Sequence, residues 1–360
     1  MDAGKYYAIL RFEQASLCLR AALHLGIVDK LADGRCSMQD FQAEFGLTVQ
    51  ATRTFVPMLE VLEILQRSGH TLRVAERARV CLAEESPTSR RPYLALGMGA
   101  DVAGFCEMLR GKLPDGSLPL YGGDATPQTV MDIPDAGKEI AFGLASRARN
   151  FAEPLAAAMR KHGARASILA DIGAGSPYVV HACLQAMPYL RKAVLVDRPN
   201  GMQYAKQMAE EAEIDLGKIE LCEKDFFQSV PPADFVCISN TAHDWLLEAY
   251  DTIIKNVDES LAPSGVICIH EPMLSSTWAS AEDWVHALWM ASYAVALFRI
   301  TEGKGTCYTR EEHDQVLRQR GFVPIADGVP TADGCTAIFY QRESEATSAE
   351  HGTDVRPEPM

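Results

Sequence analysis

His243 stands four residues beyond Ser239, where a β-rich run ends, and Glu271 stands directly beyond the next such run, Val266 to His270. Histidine has the ordinary pKa of a general base near neutrality, and a carboxylate beside it orients the ring and stabilises the imidazolium. If the two runs are neighbouring strands, both side chains emerge at one edge of one sheet. Such a pair can take the proton from a hydroxyl as its oxygen attacks, and no metal is needed for that step. His286 and His313 stand at no ligand-like spacing from His243, so no metal site is read. His270, next to Glu271, is read as a packing group or as support for it.

A second set of residues suits ligand binding. The run Ile168 to Ile172 leads into Asp171-Ile172-Gly173-Ala174-Gly175-Ser176-Pro177, a sharp strand-to-helix turn whose glycines let the backbone approach a ligand. Asp197 ends the next β-rich run, where an acid can accept hydrogen bonds from both hydroxyls of a ribose. Asp225 with Phe226 and Phe227 follows a third run and offers a carboxylate for an exocyclic amine and an aromatic wall for a purine. Either acid alone would serve equally well as a helix N-cap. A pyrophosphate-bearing dinucleotide wants a third glycine where Pro177 stands, so a ligand without a pyrophosphate fits better. Ser176 as N-cap and Pro177 as first helical residue would leave that helix N-terminus facing a carboxylate.

Positioning these residues requires an α/β architecture. Short β-rich runs begin at Ile168, Ala193, Ile219, Phe235, Val266, Phe322 and Thr336, with helical segments among them, which predicts a mostly parallel sheet covered by helices on both faces. The last two runs, near the turn residues Asp333-Gly334, predict an antiparallel pair at one edge. Residues 1–110 read differently. Apolar positions recur at helical spacing from Gln14 to Val28, Ser37 and Asp40 open a helix that Gly46 closes, and Thr52 to Leu65 forms another in spite of Pro57. Strands at Leu65 and Leu72, turned at Ser68-Gly69, complete a winged-helix outline. Residues 111–165 predict a helical connector with a long loop from Leu113 to Pro134, residues 166–342 the sheet domain, and residues 343–360 a disordered acidic tail.

The 360 residues carry 34 basic and 48 acidic side chains, a net charge of −14, which disfavours nucleic acid and anionic membrane as partners. The winged-helix outline raises a transcriptional regulator as an alternative, but residues 1–110 are electrically neutral and the would-be reading helix sets Arg53 against Glu60 and Glu63. No signal peptide or long apolar span is read, and a cytoplasmic protein is expected. None of the ten cysteines stands in CxxC spacing, so reduced, buried thiols are expected. All four tryptophans, Trp245, Trp278, Trp284 and Trp289, fall between positions 245 and 289.

The motifs Asp171 to Gly175, Val196-Asp197-Arg198-Pro199, Lys224 to Phe227, Asn240-Thr241-Ala242-His243-Asp244-Trp245 and Gly265 to Glu271 resemble those of S-adenosylmethionine-dependent O-methyltransferases of the caffeate and hydroxyindole type. The similarity covers nearly all of residues 10 to 341, and His-Asp-Trp is its most specific element. It implies a Rossmann-like seven-strand class I methyltransferase sheet, a winged-helix dimerisation domain, a homodimer, S-adenosylmethionine as cofactor and an aromatic small molecule as acceptor. His243 then matches the base and Glu271 the acid that assists it. Asp171, Gly173, Gly175, Asp197, Arg198, Asp225, Phe226, Ser239, Asn240 and Trp245 match the cofactor site. On the acceptor side stand Asp244 and, on a helix from Ala281 to Arg299, Trp289, Met290, Tyr293 and Arg299; the first three serve equally as core, and Arg299 equally as a helix C-terminal cap. Two departures are visible. Gly303 to Thr309 lacks the family's second assisting glutamate, although Glu302 is near, and the glycine turn has Ala174 and Pro177. Both leave open other uses of the same pocket, such as C-methylation, decarboxylation, hydroxylation or pericyclic chemistry.

Overall fold

The computed structural model describes residues 4–31, 34–94, 99–113, 116, 118–120, 129–163, 166–275, 281–331 and 334–343. They form two compact units, one from Met1–Leu120 with Leu274–Thr309 and one from Tyr121–Met273 with Arg310–Met360. The predicted tail from position 344, most of the loop expected between Leu113 and Pro134, and Trp278 lie outside the described residues.

In the first unit, Ser37 caps the Met38–Phe45 helix: its hydroxyl accepts from the Asp40 amide at 3.1 Å while the Asp40 carboxylate accepts from the Ser37 amide at 3.1 Å. Gly46 ends that helix at φ 64°. The Val49–Val61 helix follows, capped by Thr48 and containing Pro57, and β1 (Cys36–Ser37), β2 (Leu65–Ser68) and β3 (Thr71–Val74) form an antiparallel sheet in the order β1-β3-β2. The winged-helix outline is therefore present, with Phe41, Phe55 and Leu59 fully buried in its core.

The division of the chain differs from the sequence expectation. The Ala281–Ile300 helix, placed by sequence within the sheet domain, contributes Ala287, Leu288, Ala291, Val295 and Phe298 to the core of the first unit, and the Trp284 indole donates to the Val61 carbonyl at 2.8 Å. Its buried residues, Met290, Ala294 and Leu297 among them, lie on more than one side, which suits a helix embedded among others rather than one lying on a sheet. The expected connector also belongs elsewhere. The Pro134–His162 helix shares the core of the second unit, where Phe151, Leu155 and Met159 meet Val179 and Cys183 of the Tyr178–Ala186 helix.

The second unit is built on one sheet: β4 (Ile168–Ile172), β5 (Lys192–Asp197), β6 (Ile219–Glu223), β7 (Ala233–Ser239), β8 (Leu261–Glu271), β9 (Phe322–Pro324), β10 (Val329–Pro330) and β11 (Thr336–Arg342). Its spatial order is β9-β11-β8-β7-β4-β5-β6, with β10 paired to β11. Strands β4 to β8 are parallel, and β11 runs antiparallel to β8 and β9. The strand order reverses at β4, whose neighbours are β5 and β7, so the carboxyl ends of these strands open the crevice where such sheets bind ligands. The expected edge pair is present as β9 and β11. Helices cover both faces, the second core holding Tyr250, Ile253 and Val257 of the Leu247–Ser260 helix.

The start of β4 is tied to the start of β7 by one carboxylate. Asp234 Oδ2 accepts from the Ser167 and Ile168 amides, both at 2.9 Å, and from the Ser167 hydroxyl at 3.1 Å. Asp234→Ala should lower the unfolding free energy of the chain in urea by about 2 kcal/mol, because two partly buried amides lose an ionised acceptor; an unchanged transition would show that these bonds add nothing.

Candidate active site

Parallel pairing of β7 with β8 puts Ser239 opposite His270 and brings Glu271 beside the turn that follows β7. Glu271 is fully buried. Its Oε1 accepts from the amides of Thr241 and Ala242, each at 2.8 Å, and its Oε2 lies 2.5 Å from His243 Nδ1. The short 3₁₀ turn Ala242–Asp244 carries the histidine, and Asn240 at φ 52° reverses the chain into it. Thr241 packs this turn onto the glycine turn: its hydroxyl reaches the carbonyls of Ser239, Ile172 and Gly173, and a Cβ on Gly173, itself at φ 70°, would meet Thr241 Oγ1 at 2.8 Å. Only glycine suits that position.

The bond to Glu271 places the proton of the neutral ring on Nδ1 and leaves Nε2 to act as base. Burial alone would lower the His243 pKa below 6.5, but the charges of Glu271 and Asp244, with the Glu271 hydrogen bond, outweigh it and raise the pKa; the Arg147 guanidinium opposes them. Glu271 shows the converse: burial pushes its pKa up, and His243 pulls it below 4.5. Asp244 Oδ1 lies 3.6 Å from His243 Nε2 and has no hydrogen-bond partner among the described residues, and burial pushes the Asp244 carboxyl up to about 7.

The glycine turn lies at the same edge. Asp197 Oδ2 accepts from the Gly175 amide at 2.8 Å and its Oδ1 from the Arg198 amide at 2.7 Å, so the acid at the end of β5 also braces the turn after β4. Asp171 is 1% exposed, and burial, with the Asp197 charge adding to it against a Cys237 thiol bond, pushes its pKa up to about 7. Gly175, at φ 59°, has open space where a Cβ would stand. Asp225 Oδ1 accepts from the Phe227 amide at 2.9 Å. Phe226 and Phe227 pack edge-on against Trp245, at 6.0 and 4.7 Å between ring centroids.

The chain matches the family model of the O-methyltransferase domain over residues 151–323. That segment contains β4 to β8, the glycine turn and the turn that carries His243, whereas Arg147 stands just before it. Among solved structures, an O-methyltransferase family 2 protein from Planctomyces limnophilus in complex with apigenin superposes with a TM-score of 0.80 at 24% identity, covering 95% of this chain and 96% of that one. Acetylserotonin O-methyltransferase of Arabidopsis thaliana is 25% identical over 273 residues, 74% of this chain and 65% of its own length. Flavonoid 3'-O-methyltransferase 3 of Mentha piperita is 28% identical over 154 residues, 43% of this chain and 39% of its own length. The chain thus spans less than two thirds of the length of these curated relatives. No helix among the described residues is long and apolar enough to cross a membrane.

Within the matched segment the structure brings together Asp171, Gly173, Gly175, Asp197, Ser239, Asn240, His243, Asp244 and Glu271. Trp245 is a packing partner of Phe226 and Phe227. The Arg198 side chain turns outward to Asp132, 3.6 Å away. Arg299 stands in the last turn of the Ala281–Ile300 helix, and its guanidinium donates to the side chains of Gln14 at 2.9 Å and Glu13 at 3.3 Å. Met290 is buried and Tyr293 packs with Ala294, Leu297 and Cys307, all in the first unit, where Trp289 is half-buried. Sequence reasoning missed Arg147, whose amino group donates to Asn240 Oδ1 at 2.9 Å. It stands far upstream in the Pro134–His162 helix, and only the packing of that helix brings it here.

Glu271→Gln should drop the His243 pKa below 6.5, since burial then acts with one fewer anion, as read by histidine ring NMR during a pH titration. The sign for stability follows from the raised folded value: the contribution of His243 is fully present below pH 6.5 and is lost as pH rises through its folded pKa. A His243 that titrates identically in the variant would show that Glu271 does not set its proton affinity.

Proposed function

We propose that this chain is an S-adenosylmethionine-dependent O-methyltransferase acting on a hydroxyl of an aromatic small molecule, with His243 as base. The observation that carries this reading is the buried His243–Glu271 pair at the sheet edge that also holds the glycine turn. The residues there fit the cofactor. Gly175 leaves open space, and the buried Asp171 Oδ1, without a hydrogen-bond partner among the described residues, is an acceptor suited to an ammonium, beside which its carboxyl would ionise. Asp197 keeps lone pairs for the hydroxyls of a ribose, Asp225 and Phe226 suit an adenine, and Arg147 is a cation for a carboxylate. Bound there, S-adenosylmethionine supplies an electrophilic methyl group on a sulfonium. His243 Nε2 takes the proton of the acceptor hydroxyl, Glu271 stabilises the imidazolium so formed, and burial of the pair keeps water from competing. An aromatic acceptor is supported by the flavonoid enzyme of Mentha piperita and by the apigenin held in the Planctomyces limnophilus relative.

Incubation with methyl-labelled S-adenosylmethionine and a panel of phenols that includes apigenin should yield labelled product. His243→Ala should lower turnover by about 10²- to 10⁴-fold while S-adenosylhomocysteine still binds; transfer at the wild-type rate in that variant overturns the assignment of the base.

The first unit is read as a dimerisation module. Phe12 and Val285, 59% and 60% exposed, present apolar side chains from the Gly4–Leu25 and Ala281–Ile300 helices. Sedimentation at micromolar concentration should show a dimer, and a monomer there would overturn this part of the proposal.

A further inference from the structure

His270 is fully buried at the end of β8, its ring 4.9 Å from that of Phe151, and takes no part in the chemistry above. Its two nitrogens belong to a continuous chain of hydrogen bonds whose direction is fixed from both ends. At one end Arg147 has only donors, so the oxygen of the Asn240 amide must face it, at 2.9 Å, and the Asn240 amino group donates to the Ser239 hydroxyl at 3.3 Å. At the other end the Cys335 carbonyl can only accept, so the Thr331 hydroxyl donates to it at 2.9 Å and takes a hydrogen bond from His270 Nε2 at 2.8 Å. The ring therefore carries its proton on Nε2, and Nδ1 accepts from the Ser239 hydroxyl at 2.8 Å. From the Cys335 carbonyl to the guanidinium, each side chain has one consistent role.

We propose that His270 is a positioning residue: by linking the two ends of this chain it holds Asn240 and, through Asn240, keeps Arg147 at the site. Asn240 is the residue that most needs holding. It adopts φ 52°, a left-handed conformation that asparagine tolerates better than most residues but that still costs free energy relative to the ordinary regions, and it stands three residues before His243. Its amide also donates to the His270 carbonyl at 2.9 Å, and the Cys335 thiol donates to its Oδ1 at 3.5 Å. An Asn240 side chain turned the other way would set its amino group against the guanidinium. Arg147 would then leave, and with it a positive charge that acts on both His243 and Asp244. The groups that act on His243 come from four elements: Glu271 on β8, Asp244 on its own turn, Arg147 on the Pro134–His162 helix and His313 on the Arg310–Arg318 helix. Only the cofactor part of the consequence rests on the methyltransferase reading.

The test uses the full chain, with histidine ring nitrogens read by NMR at about pH 8, where an ordinary histidine is neutral. His270 should carry its proton on Nε2; the opposite tautomer overturns the proposal. His270→Phe keeps a ring against Phe151 and removes both bonds, whereas His270→Gln keeps an acceptor for Ser239 and a donor for Thr331 in the same order. The Phe variant should raise the His243 pKa by about half a unit or more and weaken S-adenosylhomocysteine binding about tenfold, with the Gln variant nearer to wild type. A Phe variant in which His243 titrates as in the wild type overturns the proposal. If the Phe variant does not fold, Thr331→Val removes the acceptor for Nε2 and is held to the same outcomes. Wild-type protein that fails to bind S-adenosylhomocysteine would overturn the methyltransferase reading instead, and the tautomer and the His243 titration would still decide the role of His270.

Discussion

A carboxylate with no exposed surface closes the end of β8, and much of the second unit follows from what Glu271 requires. An isolated anion at that depth would cost several kcal/mol, so the surroundings must supply charge and donors. They come from three consecutive residues, the amides of Thr241 and Ala242 and the imidazole of His243. For all three to point at one carboxylate, the chain leaving β7 has to reverse tightly, which accounts for the left-handed backbone of Asn240. Thr241 must then lie against the glycine turn, which accounts for a glycine at position 173. The loop after β7 and the loop after β4 are thus one packed assembly, and its geometry depends on β7 lying between β4 and β8.

Four of the acids at this edge answer burial in different ways. Glu271 is satisfied inside the protein and stays ionised. Asp197 is satisfied by two amides, and its carboxylate serves as a structural brace between neighbouring loops. Asp171 and Asp244 are pushed up to about 7, and each has an oxygen without a hydrogen-bond partner among the described residues. Groups that the fold leaves incompletely satisfied are the ones with capacity for a ligand. Asp197 shares both characters: burial raises its pKa too, and beyond its two amide bonds it keeps lone pairs for a hydroxyl.

The sheet was legible because buried parallel strands read as short apolar runs, and Ile168–Ile172 or Ala233–Ser239 stand out from the helices around them. His243 and Glu271 were legible because each closely follows a strand end, where local sequence predicts the edge of the sheet. What could not be read depends on contacts between distant segments. Nothing near Arg147 or Thr331 in sequence signals that they meet Asn240 and His270. The Ala281–Ile300 helix was found, but its apolar residues on several sides do not say which core it enters. Arg299 binds Glu13 and Gln14, which stand far upstream and which nothing near position 299 signals. The clustered tryptophans proved heterogeneous: Trp245 packs with Phe226 and Phe227, whereas Trp284 donates to Val61 in the first unit.

His270 and Glu271 are adjacent on one strand, so their side chains leave the sheet in opposite directions. The alternation is visible just before them, where Cys268 joins the core that contains Phe151 and Ile269 joins the core that contains Tyr250. His270 continues the first direction, against Phe151, and binds Ser239 and Thr331. Glu271 continues the second and binds the turn at Thr241, Ala242 and His243. Residues 239–243 are therefore held from both sides of the sheet by two consecutive residues of its neighbouring strand. A one-residue slip of β8 against β7 that moved Glu271 into the position of His270 would place a carboxylate where the imidazole joins two hydroxyls. Register, the place of His243 and the glycine turn are consequently specified together, and the polar pair at the end of β8 enforces the pairing that the apolar strands alone would leave less strictly defined.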